Sequence, residues 1–255
     1  MKISDEDWGE NVKKIVDIEL TNQGISHDSK PSSDEVNEEE LEMILNVAEA
    51  ATSQGVEFDN WELIRLGSAA KLKGDLDISE GYYRQALRKF KNLKDREGES
   101  NSLNNLGLIS NTRGDLEEAE RLYKESLAID REIGYREGEA NSLNNLGIIA
   151  KTRGDLEEAE RLYKESLAIR REIGDRLGEA GDLSNLGNIA KTRGDLEEAE
   201  RLHKESLAIR REIGYREGES SSLGNLGIIA ETRGDLEEAE SCLLYTSDAA
   251  DEEDS

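Results

Sequence analysis

Between residues 101 and 134, apolar side chains recur at intervals of three and four, the spacing of helices that each bury one stripe. Leu103, Leu106, Ile109 and Ser110 mark a first helix. Leu116, Ala119, Leu122, Tyr123, Ser126, Leu127, Ile129 and Ile133 mark the buried stripe of a second. Gly114 ends the first helix and Asp115 is placed to cap the second, with Glu118 three residues on completing a capping-box pattern. Glu117 with Arg121 and Glu120 with Lys124 are acidic-then-basic pairs at i,i+4, worth about 0.2–0.5 kcal/mol each on a solvated face. Gly107, inside the first helix, costs about 1 kcal/mol of propensity relative to alanine and so predicts an approach too close for a side chain. Gly134 stops the second helix. The pattern is that of a helical hairpin.

The hairpin is repeated. Asn101–Ala140 returns at Asn141–Ala180 with six changes, again from Gly181 to Ser220, and incompletely from Ser221 to Glu240. A looser copy, Trp61–Ser100, keeps Leu63, Leu66, Gly67, Gly74, Asp75, Leu76 and Tyr83 in register. A fixed period of this length marks an array in which each repeat covers its neighbour's apolar face. Residues 58–240 therefore read as four full repeats and a truncated fifth, all-α, with turns at Gly74, Gly114, Gly154, Gly194 and Gly234.

Leu-x-x-Leu-Gly in the first helix, then Gly-Asp, then Ala-x-x-x-Tyr-x-x-Ser in the second, resembles the tetratricopeptide repeat. The matching positions are Leu103, Leu106, Gly107, Ala119 and Tyr123, and Leu143, Leu146, Gly147, Ala159 and Tyr163. A repeat of 40 rather than 34 residues, without the proline after the second helix, is similar to kinesin light chains and to spindle-orientation scaffolds that bind G-protein subunits. The resemblance implies a right-handed superhelical solenoid of antiparallel helix pairs whose concave side is lined by the first helices.

Outside the array, residues 1–20 are acidic, and Trp8, Val12, Ile15, Val16 and Leu20 are spaced for a short helix over Asp5–Leu20. Residues 21–37, with Gly24, Pro31 and several serines, read as a linker. In residues 38–57, Leu41, Ile44, Leu45, Ala48 and Ala51 share one face, which suits a helix capping the first repeat. The alternative is that the acidic segment before it folds back and blocks the groove. At Ser241 the repeat pattern is abandoned in mid-helix, and Cys242–Glu252 resembles translated transposon adapter sequence. Residues 241–255 thus read as a read-through artefact, against the alternative of a divergent acidic C-terminus. The truncation leaves apolar surface at Leu223, Leu226, Ile229 and Leu236 and favours self-association there.

Charge changes the list of partners. The chain carries a net −26, of which residues 1–57 hold 15 acids and 4 lysines. Such acidity disfavours nucleic acid and anionic membranes, or else reflects adaptation to high salt. No run approaches the length of a membrane span and the start lacks a secretory signal, so a cytoplasmic location is expected.

Chemistry is hard to find. Neither His27 nor His203, which replaces the repeated tyrosine, belongs to a metal or catalytic constellation, and no phosphate loop, zinc spacing or nucleophile elbow is present. Arg-Gly-Asp at 113–115, 153–155, 193–195 and 233–235 reads as the turn of the hairpin, not an adhesion motif. No enzyme activity, metal or cofactor is expected.

What remains is a surface. The second helices scarcely vary, whereas the first helices vary at Asn101, Asn141, Gly181 and Ser221; at Asn104, Asn144, Ser184 and Gly224; at Leu108, Ile148, Asn188 and Ile228; and at Asn111, Lys151, Lys191 and Glu231. Offsets of three, four and three place these on one helix face. Beside them Asn105, Asn145, Asn185 and Asn225 are constant. In the families resembled, this face is a groove whose asparagines hold a peptide backbone, and an amide both donates and accepts. The opposing reading is that the constant asparagines bridge adjacent repeats. The expected function is a protein-interaction scaffold binding an extended peptide or partner domain, with Lys151 and Lys191 favouring an acidic one. The alternative is the sensor or adaptor part of a larger signalling protein whose effector lies beyond Glu240.

Overall fold

The computed structural model describes residues 5–25, 37–237 and 239–242. Residues 26–36, with His27 and Pro31, and residues 243–255 lie outside them. The chain divides into two compact bodies, Met1–Gly134 and Tyr135–Ser255.

In the N-terminal body, α1 (Asp5–Asn22) and α2 (Glu38–Ser53) precede the hairpins α3 (Asn60–Leu72) with α4 (Leu76–Leu93) and α5 (Arg96–Thr112) with α6 (Leu116–Ile133). The helix α1 extends two residues into the stretch read as linker, where Thr21 Oγ1 donates to the carbonyl of Asp17 at 2.8 Å. The α2 face carrying Leu41, Ile44, Leu45, Ala48 and Ala51 is buried in one core with Val12, Val16 and Leu20 of α1 and Leu63 and Leu66 of α3. Arg65 of α3 is itself buried and ties α1 down. Its Nε donates to the carbonyl of Ile25 at 2.7 Å, one terminal nitrogen to Thr21 Oγ1 at 2.8 Å, and the other to the Asp17 carboxylate. A guanidinium with all three nitrogens engaged can be buried here because its charge is paired.

The C-terminal body continues with α7 (Arg136–Thr152), α8 (Leu156–Ile173), α9 (Arg176–Thr192), α10 (Leu196–Glu212) and α11 (Arg216–Arg233), after which residues 236–237 and 239–242 are helical too. Each first helix starts one residue after its N-cap, a full turn before the start of the repeat block as cut from the sequence. Successive helices pair as hairpins, α7 with α8 and α9 with α10, and α8 and α10 pack in turn on α9 and α11.

The hairpin turn shows why Arg-Gly-Asp recurs. Gly114 has φ +81°, a left-handed conformation that side chains disfavour, and this closes the turn. Asp115 then accepts a hydrogen bond from the Glu118 backbone N–H, capping α6. Arg113 reaches back to Asp77 at 2.5 Å and to Glu80 on the preceding second helix, and Arg193 likewise pairs with Glu160. All three residues serve the repeat.

Three expectations at this level need correction. The capping box at Asp115 is only half formed: the Glu118 carboxylate turns away and takes both Arg121 Nε and NH2 at 2.7 Å, because a bidentate charged pair outweighs one bond to the cap N–H. Among the described residues a complete box forms at Asp59 with Glu62. Arg121 accordingly pairs with Glu118 and Glu125, not Glu117, whereas Lys124 does pair with Glu120. Ile133 lies 40 % exposed in the last turn of α6, one turn beyond the buried Ile129, where the stripe leaves the core.

Candidate functional site

The first helices α3, α5, α7 and α9 pass close to their hairpin partners at the repeated glycine. A β-carbon on Gly107 would stand 2.6 Å from Tyr123 Cε1, and one on Gly147 would stand 2.6 Å from Tyr163 Cε1. The close neighbour is thus an aromatic ring, not helix backbone. The glycine seats the ring, the ring fixes the two helices, and the rest of the first helix presents its remaining face outward.

On that face, Asn101, Asn104, Asn105, Leu108 and Asn111 of α5 are all half-exposed. On α7, Asn141, Asn144, Asn145 and Ile148 are half-exposed and Lys151 is exposed. On α9, Asn185, Asn188 and Lys191 are half-exposed, as is Asn225 on α11. Ser184 departs from the expectation. It is buried, because its short side chain stops below the surface that the asparagine at the same register, Asn144, reaches.

Within the C-terminal body the constant asparagines do reach the preceding repeat. Asn185 Nδ2 donates to Asn144 Oδ1 at 3.0 Å, and Asn225 Oδ1 accepts from Lys191 Nζ at 3.5 Å while its Nδ2 donates to the carbonyl of Ser221 at 3.1 Å. These bonds join α9 to α7 and α11 to α9 along the varying face, so a constant asparagine sets the position of a varying neighbour.

Beneath this face lies a buried polar layer that the sequence reading passed over. Arg170 of α8 donates through Nε to Asp182 of α9 at 3.0 Å, through NH1 to Asp175 at the N-cap of α9, and through NH2 to Asn141 Oδ1 at 3.1 Å. Ser166 donates to the same Asp182 oxygen at 2.6 Å. Burial pushes the Asp182 carboxyl up to about 6, even with Arg170 and Ser166 favouring its ionised form. Forty residues on, Arg210 donates to the Gly218 carbonyl at 2.6 Å and to Ser222 Oγ at 2.9 Å. Forty residues earlier the position holds Asp130, buried beside Ser100 and Ser126. The available signal was a charge reversal, Asp130 to Arg170, at one register of otherwise near-identical second helices.

His203 takes the tyrosine's seat, its Nε2 2.8 Å from a β-carbon placed on Gly187. It is fully buried without a hydrogen-bond partner on either ring nitrogen. Burial, reinforced by the positive Lys191 and Arg210, pushes its pKa down to about 4. It is a neutral packing residue at neutral pH.

A different concavity lies on the other side of the C-terminal body. Between α8 and α10, over α9, a cleft of about 500 Å³ has an apolar floor including Leu183, Leu186 and Ile189. Its rim is charged but internally paired, with Arg171 to Glu205 at 2.5 Å and Arg201 to Glu198 at 2.7 Å. Among the described residues no group of three or more His, Cys, Asp and Glu is placed to hold a metal ion, and no helix is long and apolar enough to cross a membrane.

A search of curated proteins finds no match. Among solved structures, Rap protein complexed with Competence and Sporulation Factor is similar over 100 % of this chain and 68 % of its own, at 14 % identity and a TM-score of 0.76. NprR in complex with its cognate peptide NprX is similar over 94 % of this chain and 68 % of its own, at 18 % identity and a TM-score of 0.67. A Podosopora anserina protein described as a kinesin light chain, with nearly identical TPR-like repeats, is similar over 74 % of this chain and 93 % of its own, at 17 % identity and a TM-score of 0.58. At such identities the likeness is one of fold. The sequence profile of the tetratricopeptide repeat matches residues 61–132, 99–172 and 180–245, and with most of its length covered the chain belongs to the tetratricopeptide-repeat family.

Proposed function

We propose that this scaffold binds an extended, acidic peptide across the outward face of its first helices. In the C-terminal body that ligand lies over α7, α9 and α11. The observation that carries the reading is where the copies differ: the half-exposed first-helix positions change from repeat to repeat while the second helices hardly do. A surface used only for packing has no reason to concentrate its variation there.

The residues take distinct parts. Asn141, Asn144, Asn188, Lys151 and Lys191 touch the ligand, with Asn101, Asn104, Leu108 and Asn111 in the corresponding places on α5. Ser184 lies too deep for direct contact. Asn185 and Asn225 brace their neighbours, and Asn105 and Asn145 stand at the same register. The two lysines are the only cations on the varying positions, and they favour carboxylates. That NprR, a protein of similar fold, is seen with its cognate peptide supports a peptide as the ligand here. The solvated charges and the repelling net −26 suit a cytoplasmic protein that binds neither nucleic acid nor membrane.

Selection of peptides from a random displayed library on the full chain tests the reading. The selected peptides should be acidic, and Lys151→Glu with Lys191→Glu should weaken them at least tenfold and flatten their salt dependence. Peptides with no acidic bias, or unaffected by both substitutions, contradict it. The match covers only 68 % of NprR, which favours the second reading, that the repeats form the sensing part of a larger signalling protein. An effector domain encoded downstream of Glu240 would support that reading.

A further inference from the structure

One of the face asparagines, Asn141, is not free to choose which end of the amide it shows. Arg170 carries only N–H donors, so the Asn141 atom 3.1 Å from its NH2 is the carbonyl oxygen. The Asn141 side chain therefore turns its NH2 group away from Arg170. Asn144, one turn further along α7, pairs with Asn185 at 3.0 Å, an amide–amide contact that either orientation satisfies. Arg170 is in turn immobilised by Asp182, Asp175 and Ser166, and is itself buried. The neighbouring repeat has nothing comparable, since Gly181 stands at the register of Asn141 and Arg210 bonds to Gly218 and Ser222 instead.

We propose that Arg170 is a positioning residue which turns the Asn141 amide so that it presents its NH2 group and, with Lys151, makes the α7 surface a donor patch, so that ligand carboxylates are preferred over side-chain amides there. The inference rests on the first-helix face being the binding surface. An unclamped asparagine could meet a ligand amide by offering whichever end suits, whereas Asn141 turns its N–H groups outward. Lys151, on the same helix face, adds a second group that only donates. The ligand chemistry fitted at α7 is an aspartate or glutamate carboxylate, which only accepts, ahead of an asparagine or glutamine amide, one end of which would set donor against donor, and of lysine.

The test uses two fluorescein-labelled peptides, six Gly-Glu pairs and six Gly-Gln pairs, titrated by anisotropy against the full chain in 0.3 M salt to screen long-range charge. The variant Arg170→Met with Asp182→Ser removes one charge of each sign, leaving net charge unchanged and no buried carboxylate orphaned. Serine already occupies this register at Ser102, Ser142 and Ser222. Asp182→Ser alone keeps Arg170 on Asp175 and Asn141 and serves as the control. The preference for the Glu peptide should fall at least threefold in the double variant and stay within twofold of wild type in the control, with both variants retaining wild-type helicity. A folded double variant with the wild-type preference overturns the positioning role. If Lys151→Glu with Lys191→Glu leaves Glu-peptide affinity intact, the face itself is wrong and the inference falls with it. In a second readout, the Asn141 side-chain amide resonances should move in Arg170→Met with Asp182→Ser and also in Arg170→Lys, which keeps the charge but loses the planar fork. Resonances unchanged in both would likewise overturn it.

Discussion

Gly147 lies against the ring of Tyr163, with room for no β-carbon between them: one placed there would stand 2.6 Å from Cε1 and 2.8 Å from Cδ1. Gly147→Leu should therefore cost about 1–3 kcal/mol or more by overpacking, read as a lower melting temperature. Gly147→Ala with Tyr163→Ala should be less damaging than the sum of its single changes, because each removes the other's clash or support. Strict additivity would show that the contact does not govern the hairpin.

The turn between hairpins gives a cleaner comparison. Gly134, Gly174 and Gly214 have φ between +71° and +74°, while Lys94, at the same register in the first repeat, is held at +58°. A lysine in this conformation bears a steric cost of about 1 kcal/mol that glycine avoids. Lys94→Gly should thus stabilise the chain by about 0.5–1 kcal/mol in urea denaturation, and Gly134→Ala should destabilise it by a similar amount. A destabilising Lys94→Gly would mean that the lysine earns its place through contacts the turn geometry does not reveal.

Acid should act on His203 and Asp182 in opposite directions. His203 has its folded pKa lowered to about 4 from an ordinary 6.5, so between those values the unfolded chain binds a proton that the folded chain refuses, and stability falls as pH falls. Asp182 has its value raised to about 6 from 3.8, so the folded carboxyl is protonated first and stability rises as pH falls across that window. His203→Tyr removes only the first effect. The variant should gain on wild type as pH drops from 7 to 4.5, by about 1–3 kcal/mol, with no further divergence above pH 7. A pH-independent difference between the two proteins would show that His203 is not held neutral by the fold.

Much of this architecture was legible because it repeats. The 40-residue period, the glycine turns and the buried stripe follow from spacing alone, and copies that agree at Gly67, Gly107, Gly147 and Gly187 point to one shared packing contact. The outward face was legible for the opposite reason, that the copies disagree there. Hidden were relationships that depend on which of several partners a flexible charge selects. Glu118 chose Arg121 over the cap, and Arg170 reached across three helices, because those choices are set by distances between elements rather than by position in the chain.

The Arg-Gly-Asp turn should likewise behave as structure. Arg113→Ala removes solvent-screened pairs with Asp77 and Glu80 and should cost well under 1 kcal/mol, whereas Asp115→Ala removes a helix cap worth about 1 kcal/mol. Urea denaturation of the two variants checks the order, and a larger loss for Arg113→Ala would contradict it.

At the interrupted end the expectation changes in part. Leu223, Leu226 and Ile229 are buried, with Cys242 packed against the first two in the register that Leu122, Leu162 and Leu202 occupy elsewhere, while Leu236 is 71 % exposed. A thiol fills less space than the leucine found at this register in the earlier repeats. Replacing residues 241–249 with Arg-Leu-Tyr-Lys-Glu-Ser-Leu-Ala-Ile should raise the melting temperature and slow hydrogen exchange from Ser221 onward. No gain in stability would indicate that the native tail already caps the array.

The central claim is that ligands meet the first-helix face rather than the cleft between second helices. Isothermal titration of one library-selected peptide against two charge-reversed proteins separates the two most directly. Lys151→Glu with Lys191→Glu should weaken binding at least tenfold, and Lys164→Glu with Arg171→Glu, on the rim of the α8–α10 cleft, should change it less than twofold. The reverse order would place recognition in the cleft and contradict the account.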